Sequence, residues 1–200
     1  MHVVEMLKCC VSQLPEVLDL LVRSGANVNE YSSSSSSVLQ LAMQCYPTNA
    51  ELCLRMVRSL LCPDTKQTAC VKNEQILPSC SSSHITDPDI LGEALQVAAG
   101  EGWELLVPIL LAAGADPNYC SPGDEFFMTP LVGMIFENQA LPGHCAVLRM
   151  LLAAGADLTH ISNEWTAVEY ALRYDRQDLL PLLGDSSEFT PSHVNSDSQH

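Results

Sequence analysis

Three short stretches of the sequence follow one pattern: LLVRSGANVN (20–29), LLAAGADPN (110–118) and LLAAGADLT (151–159). In each stretch, leucines that close an apolar helical face precede a glycine, which is Gly25, Gly114 or Gly155. Glycine adopts the left-handed backbone conformation at low cost, and that conformation commonly ends a helix. The alanine after it permits close packing, and the following Asn or Asp favours a turn. The pattern predicts a repeated helix end followed by a turn.

Two further patterns complete each unit. One set of segments falls in register after the glycine turns, where the family resemblance given below implies a first helix; its members are SVLQLA (37–42), EALQVAAGEG (93–102), TPL (129–131) and TAVEYAL (166–172). The other predicts a second, amphipathic helix and occurs as PEVLDLLVRSG (15–25), WELLVPILLAAG (103–114) and HCAVLRMLLAAG (144–155). Such a pair of short helices cannot bury its apolar face alone, so each unit depends on its neighbours.

These patterns resemble those of the ankyrin repeat family, in which GAD after paired leucines is followed by a hairpin and a TPLHxA helix start. The resemblance implies an all-α fold, an ankyrin-like solenoid of about five stacked helix-turn-helix repeats with β-hairpin-like loops. The array is predicted to occupy residues 1–184, with repeats at 1–29, 30–62, 88–118, 119–158 and 159–184. A long insert loop (63–87) and a disordered C-terminal tail (185–200) complete the prediction.

Some positions depart from the family pattern. Pro108 and Pro181 stand at equivalent places in the second helices of their repeats. A proline deep inside a helix costs about 3 kcal/mol, whereas one in the first turn removes an amide with little intrahelical use. We therefore expect these helices to begin late or to bend. In the ankyrin family, a histidine in the first helix ordinarily supports the hairpins. Other residues stand at that position here, namely Gln40, Gln96, Val132 and Glu169. Their presence predicts looser coupling between the hairpins.

Composition narrows the class of partner. The chain has 24 acidic and 9 basic residues and a formal net charge of −15, so we expect it to repel nucleic acids and anionic membranes. The longest apolar run, 105–115, falls short of the roughly 20 residues that span a bilayer. The N-terminus shows no secretory signal pattern, and the nine cysteines are then expected to be reduced thiols. We predict an intracellular protein, cytoplasmic or nuclear or both.

The sequence shows no motif typical of an enzyme, whether a P-loop, GxSxG or HExxH. We predict no catalytic residues and no cofactor. One group of potential zinc ligands lies in or beside the insert, but it lacks the close ligand pairs of structural zinc sites; its members are Cys62, Cys70, Cys80 and His84. We therefore predict no metal site.

In ankyrin-like proteins, the hairpin tips and the exposed side of the first helices form the groove where partners dock. The resemblance implies such a groove here, and the candidate partner-binding residues are the aromatic and acidic residues near the fingers: Tyr31, Tyr119, Asp124, Glu125, Phe126, Phe127, Glu164 and Trp165. Large aromatic side chains bury much area at low entropic cost. For Phe126, Phe127 and Trp165, packing against their own repeat is the competing interpretation. The carboxylates favour a partner with a basic surface, or they serve only solubility.

The favoured function is a non-enzymatic protein-protein interaction module that acts as a scaffold, adaptor or inhibitor. The alternative is a substrate-recruiting adaptor subunit of a larger enzyme complex such as a ubiquitin ligase, although the polar tail (185–200) contains no apolar helix for a ligase-recruiting box. A third hypothesis is modification, because Asn29 and Asn118 resemble the hairpin asparagines that ankyrin-directed hydroxylases accept.

Overall fold

The structure, a computed structural model, describes residues 14–31, 36–61, 85–122, 128–136 and 140–184, and every structural statement below concerns these residues. They form helices joined by turns, and their β-structure is limited to two isolated bridges, so the predicted all-α class is confirmed. The helices are α1 (Leu14–Arg23), α2 (Val38–Met43), α3 (Ala50–Leu61), α4 (Pro88–Gly100), α5 (Val107–Ala112), α6 (Pro130–Phe136), α7 (His144–Ala153), α8 (Ala167–Arg173) and α9 (Leu180–Leu183).

The helix ends match the repeated glycine pattern. Gly25, Gly114 and Gly155 have φ values of 82°, 100° and 94°. The amide after each glycine donates to a carbonyl five residues back, as in Ala156 to the Leu151 oxygen at 2.9 Å, which is the Schellman helix ending. An Asn or Asp side chain then accepts from the amide two residues later and closes a turn; these pairs are Asn27 with Asn29, Asp116 with Asn118, and Asp157 with Thr159.

The starts of the first helices depend on side-chain caps. Ser37 and Thr166 each form a capping box, in which the cap side chain accepts from a backbone amide three residues on and the side chain there bonds back to the cap amide. Thr129 accepts from the Val132 amide at 3.3 Å. The start of α4 differs from the EALQVAAGEG pattern, because the Asp87 side chain accepts from the Asp89 amide and starts the helix at Pro88.

The two prolines in second helices behave as predicted. Both α5 and α9 begin one residue before their proline, so Pro108 and Pro181 lie in the first turn. Residues 103–106, which the sequence pattern includes in the second helix, form turns instead. A proline in the first turn breaks no helical hydrogen bond, so neither helix has to bend.

The described helices form two layers in chain order. One layer contains α2, α4, α6 and α8, each of which contacts the next, and we call this the first-helix layer. In the other layer, α1 contacts α3, and α5, α7 and α9 contact one another in turn. One cluster of buried apolar side chains lies between the layers and extends from Leu18 to Leu183. Each helix pair therefore shares its core with its neighbours.

The described end of the predicted insert loop 63–87 is non-helical but packed against the core. Ile85 is 1% exposed and belongs to the core, and Asp87 caps α4. The amides of Thr86 and Asp87 donate to Asn29 Oδ1 at 3.0 and 3.4 Å. The chain is thus already packed at residue 85, whereas residues 62–84 and the predicted tail 185–200 lie outside the described residues.

A buried cation joins three helix pairs. Arg176 is 2% exposed, and its guanidinium donates to the carbonyl oxygen of Met134 in α6 and pairs with Asp178 at 3.1 Å. It also lies 2.9 Å from His144 Nδ1, while His144 Nε2 lies 2.8 Å from the Gly100 carbonyl oxygen. Since the guanidinium only donates, His144 accepts at Nδ1 and donates from Nε2. This network ties the C-terminal ends of α4 and α6 together.

Candidate protein-interaction surface

The structure describes four of the candidate partner-binding residues. Tyr31 and Tyr119 lie near the N-terminal half of α4, and Glu164 and Trp165 lie in the turn before α8. The remaining candidates lie outside the described residues; they are Asp124, Glu125, Phe126 and Phe127. The described candidates thus precede three different helices of the first-helix layer, α2, α6 and α8.

Trp165 makes intramolecular contacts on its ring. The ring packs edge-on against Tyr170 at a centroid distance of 5.4 Å, and the Arg173 guanidinium lies 3.9 Å from the centroid of the indole ring. The backbone of Trp165 pairs with that of Ser162 across a two-residue turn. Cation-π and aromatic contacts of this kind stabilise the repeat itself. The structure therefore favours the interpretation that Trp165 packs against its own repeat.

Glu164 is exposed at that turn. Its φ is +74° and that of Asn163 is +45°, and two consecutive positive φ values are characteristic of a tight hairpin turn. The left-handed conformation disfavours most side chains, so the backbone of this finger is constrained. Glu164 places its charge at the tip, where the exposed side chain is open to solvent.

Tyr119 is a core residue, which corrects its prediction as a surface contact. It is only 8% exposed, and its ring lies directly over Gly92 of α4. A Cβ atom at Gly92 would be 2.1 Å from Tyr119 Cγ, so only glycine leaves room for the ring. The sequence shows that an aromatic residue follows the turn, but it does not show that a glycine on another helix makes a slot for it.

Acidic side chains line the same face of α4. Asp89 and Glu93 are four residues apart and share one side of the helix, and Gln40 Nε2 donates to Glu93 Oε2 at 3.1 Å. Burial, and then the carboxylate of Asp89, raise the pKa of Glu93 above its ordinary value. Burial and the carboxylates of Glu93, Asp87 and Asp89 raise the pKa of Tyr31 to about 12. These residues form one electrostatically coupled group.

The exposed side of the first-helix layer contains an apolar depression between α4 and α6. We call this surface the first-helix face. Val97 is 42% exposed there, and glycines contribute to the floor; the other lining residues are Gln96, Gly100, Glu101, Met128, Thr129 and Gly133. Gly133 is the notable member, because a Cβ atom built on it would have no neighbour within 4 Å in the part of the chain that the structure describes. The sequence analysis identified neither Val97 nor Gly133 as surface residues.

Two of the residues that replace the family histidine have structural roles. Gln96 Nε2 donates to the carbonyl oxygen of Met128 at 2.7 Å and to that of Tyr119 at 3.4 Å. These bonds hold both ends of the finger that precedes α6, so the prediction of looser hairpin coupling is wrong at this position. The Glu169 carboxylate accepts from the amide and hydroxyl of Thr166 and completes a capping box. Both side chains support the backbone beside the first-helix face.

Asn29 and Asn118 connect neighbouring repeats through their side-chain amides. Asn118 Nδ2 donates to the Gly155 carbonyl oxygen at 3.0 Å, and Asn118 Oδ1 accepts from the Asp157 amide at 2.7 Å. Asn29 Oδ1 accepts from the amides at the start of the third unit in the same manner. These contacts give both asparagines a structural purpose, which explains their place in the repeat without any modification.

Metal and thiol chemistry have little support in this part of the chain. Within the described ranges, no three His, Cys, Asp or Glu side chains converge in a way that would hold a metal ion. The proposed zinc ligands Cys62, Cys70, Cys80 and His84 fall outside those ranges. Cys53 is fully buried, and burial raises its pKa to about 12. A thiol with so high a pKa is a poor nucleophile at neutral pH.

The sequence comparisons assign no family. No protein-family model matches the chain, and no curated protein shows significant similarity to it. None of the helices in the described segments is long and apolar enough to cross a membrane. The function must therefore be argued from the geometry of the surface.

Proposed function

We propose that this chain is a protein-protein interaction module without catalytic activity, built as an ankyrin-like solenoid. The support for the solenoid is that the helices pair and pack in two layers in chain order. The repeated helix ends at Gly25, Gly114 and Gly155, and the caps at the first helices, recur at the positions that the repeat pattern requires. Such an array uses its internal faces for stacking and leaves one layer for binding.

Gly133 is the observation that carries the proposed binding role. A glycine inside a helix costs roughly 1 kcal/mol relative to alanine. Packing among the described residues does not explain this cost, because a Cβ atom at Gly133 would meet none of them within 4 Å. A partner that approaches α6 closely would use that space. Val97 lines the same depression and supplies apolar area that a partner buries.

The partner is a protein, and its contact region combines apolar side chains with positive charge. The apolar part matches the first-helix face, and the charge matches the formal net charge of −15. The depression is shallow and open, as expected for a surface that receives a protein and not a small molecule. Association is expected to slow as salt is added, because the Debye length falls from about 30 Å at 0.01 M to about 10 Å at 0.1 M salt.

The experiment is proximity labelling in cells, followed by binding measurements with purified candidates and two surface variants. Gly133→Leu fills the depression, and Val97→Glu places a charge in it. Ala153→Leu is the matched control, since it adds a leucine to an exposed helical site on the other layer. We expect the first two variants to weaken binding at least tenfold and the control to change it less than twofold. Equal binding by all three folded variants would contradict the proposal.

A further inference from the structure

Three carboxylates and two phenols surround the N-terminal half of α4. We call this group the acidic cluster, and its members are Tyr31, Asp87, Asp89, Glu93 and Tyr119. Asp87 caps the helix, Asp89 follows in the first turn, and Glu93 lies one turn further on the same side. Tyr119 lies over Gly92, and the carboxylates of Asp89 and Glu93 both act on its hydroxyl group. Tyr31 is 41% exposed and gives the group a solvent-facing aromatic ring.

The cluster lacks a compensating cation among the described residues. The charges that raise the pKa of Tyr31, Glu93 and Tyr119 all come from carboxylates. The ion pairs elsewhere in the structure are built differently, since each joins an arginine to a carboxylate; they are Arg23 with Asp19, Arg55 with Glu16, and Arg176 with Asp178. Like charges gathered around partly buried groups cost stability, and such arrangements are found preferentially at functional sites.

The Tyr119 hydroxyl group is a second and independent sign of a ligand. It is buried, and no described residue bonds to it within ordinary hydrogen-bond geometry, although Asp89 and Ser121 lie beside it. Buried polar atoms in native proteins are nearly always paired, so a partnerless one needs an explanation. Its position next to Asp89 directs it into the acidic cluster.

We propose that the acidic cluster receives an arginine side chain of the partner protein, an inference that rests on the proposed function. A guanidinium group has five donors in a planar fork, so it can pair with Asp89 and Glu93, stack on the Tyr31 ring and donate to the Tyr119 hydroxyl oxygen. A metal ion fits poorly, because no three ligand side chains in the described segments converge on one point. A guanidinium group can pair with carboxylates that are more widely spaced than the ligands of a metal ion.

The acidic cluster continues the first-helix face. Glu93 and Val97 are four residues apart on α4, which places them about 6 Å apart along the helix axis and on the same side. One segment of a partner can therefore bury an apolar side chain against Val97 and extend a neighbouring arginine over Glu93. The inference specifies the chemistry of that segment, an arginine next to an apolar residue.

The test uses blocked arginine (N-acetyl-arginine N-methylamide) as the probe, with blocked citrulline as its uncharged counterpart. The full chain is titrated with each probe at low salt and followed by amide NMR. We expect millimolar binding of the arginine probe, with the largest shifts near Tyr31, Asp89 and Tyr119, and no saturable binding of the citrulline probe. A response spread over the whole surface would overturn the inference.

Matched charge variants separate a defined site from general attraction. Glu93→Gln and Glu101→Gln each remove one negative charge from the same helix or its C-terminal cap. We expect Glu93→Gln to weaken the arginine probe about fivefold to tenfold, as for a lost charge-assisted hydrogen bond. Glu101→Gln should change it less than twofold. Equal losses in both variants would show that only net charge matters and would overturn the inference.

Tyr119→Phe and the partner measurements complete the test. Tyr119→Phe removes a partnerless hydroxyl group, so we expect an unchanged or higher melting temperature together with weaker binding of the arginine probe. Failure of the inference is distinct from failure of the proposed function. If Val97→Glu abolishes partner binding while Glu93→Gln leaves it intact, the interaction module stands and the arginine site is wrong.

Discussion

Helices α4 and α6 lie side by side in the first-helix layer, and each has a glycine in its interior. At Gly92 a Cβ atom would meet the Tyr119 ring at 2.1 Å, whereas at Gly133 it would meet nothing within 4 Å. Both glycines cost helix stability. The fold recovers that cost at Gly92 by burying an aromatic ring, but nothing in the described structure does so at Gly133. The difference separates a glycine required by internal packing from one that leaves a surface open.

Loss of the buried cation that supports both helices is the largest expected effect. Arg176→Met should lower the free energy of unfolding by about 3 kcal/mol, at the low end for a broken buried pair because Asp178 is partly exposed. The backbone oxygen of Met134 and the ring of His144 would lose their donor. Urea denaturation measures this, with the exposed Arg149→Met as the control. A loss equal to that of the control would show that the network does not join α4 to α6.

Gly92→Ala tests directly whether the Tyr119 ring fills the space next to Gly92. The added methyl group collides with the Tyr119 ring, and overpacking of this kind costs about 1–3 kcal/mol. The measurement is the free energy of unfolding from urea denaturation. The double variant Gly92→Ala with Tyr119→Leu should recover part of the loss, because the ring is no longer in the way. An unchanged stability in the single variant would mean that Tyr119 moves freely.

Gly133→Ala tests the open space next to Gly133. Its effect on the free energy of unfolding should be opposite in sign to that of Gly92→Ala. With space for the methyl group, the substitution should raise the free energy of unfolding by about 1 kcal/mol through helix propensity. The same variant should bind the partner no better, and the larger Gly133→Leu should bind it worse. Destabilisation by Gly133→Ala would show that the site is filled in solution and would remove the contrast with Gly92.

The pH dependence of stability is expected to show the smallest effect. It distinguishes the surroundings of Asp178, which pairs with Arg176, from those of Glu93 on α4. The Arg176 hydrogen bonds lower the pKa of Asp178 below 3.8, so its stabilisation is present above that pH and is lost as the pH falls through the folded-state pKa. Burial raises the pKa of Glu93 above 4.5, so its contribution is full below pH 4.5 and is lost as the pH rises through the folded-state pKa.

Asp178→Asn and Glu93→Gln should therefore change the pH profile of the melting temperature in opposite directions. Asp178→Asn should reduce the loss of stability in acid, because the group that protonates is gone. Glu93→Gln should remove a decline in stability above pH 4.5 and leave the protein more stable at neutral pH than the wild-type chain. A parallel shift of the two profiles would contradict the assigned causes.

The sequence predicted the ends of the helices better than the accessibility of their side chains. The three glycine turns and the late starts at Pro108 and Pro181 agree with the structure, since each depends on backbone preferences within a few residues. Tyr119 is buried instead of exposed, because that outcome depends on Gly92 in another repeat element. The burial of Ile85, which lies in the predicted loop 63–87, could not be predicted for the same reason, because its core neighbours are distant in sequence.

The sequence by itself determined the recurrent turns and the excess of negative charge, because these follow from local propensity and from composition, and its resemblance to a repeat family indicated the all-α class. Only the tertiary structure decided that Arg173 covers Trp165, that Gly133 stays open and that the carboxylates of α4 gather without a cation among the described residues. These properties arise where separate repeats meet. Packing between distant segments decides which side chains are buried and which charges lie close together, and one-dimensional patterns carry little information about that packing.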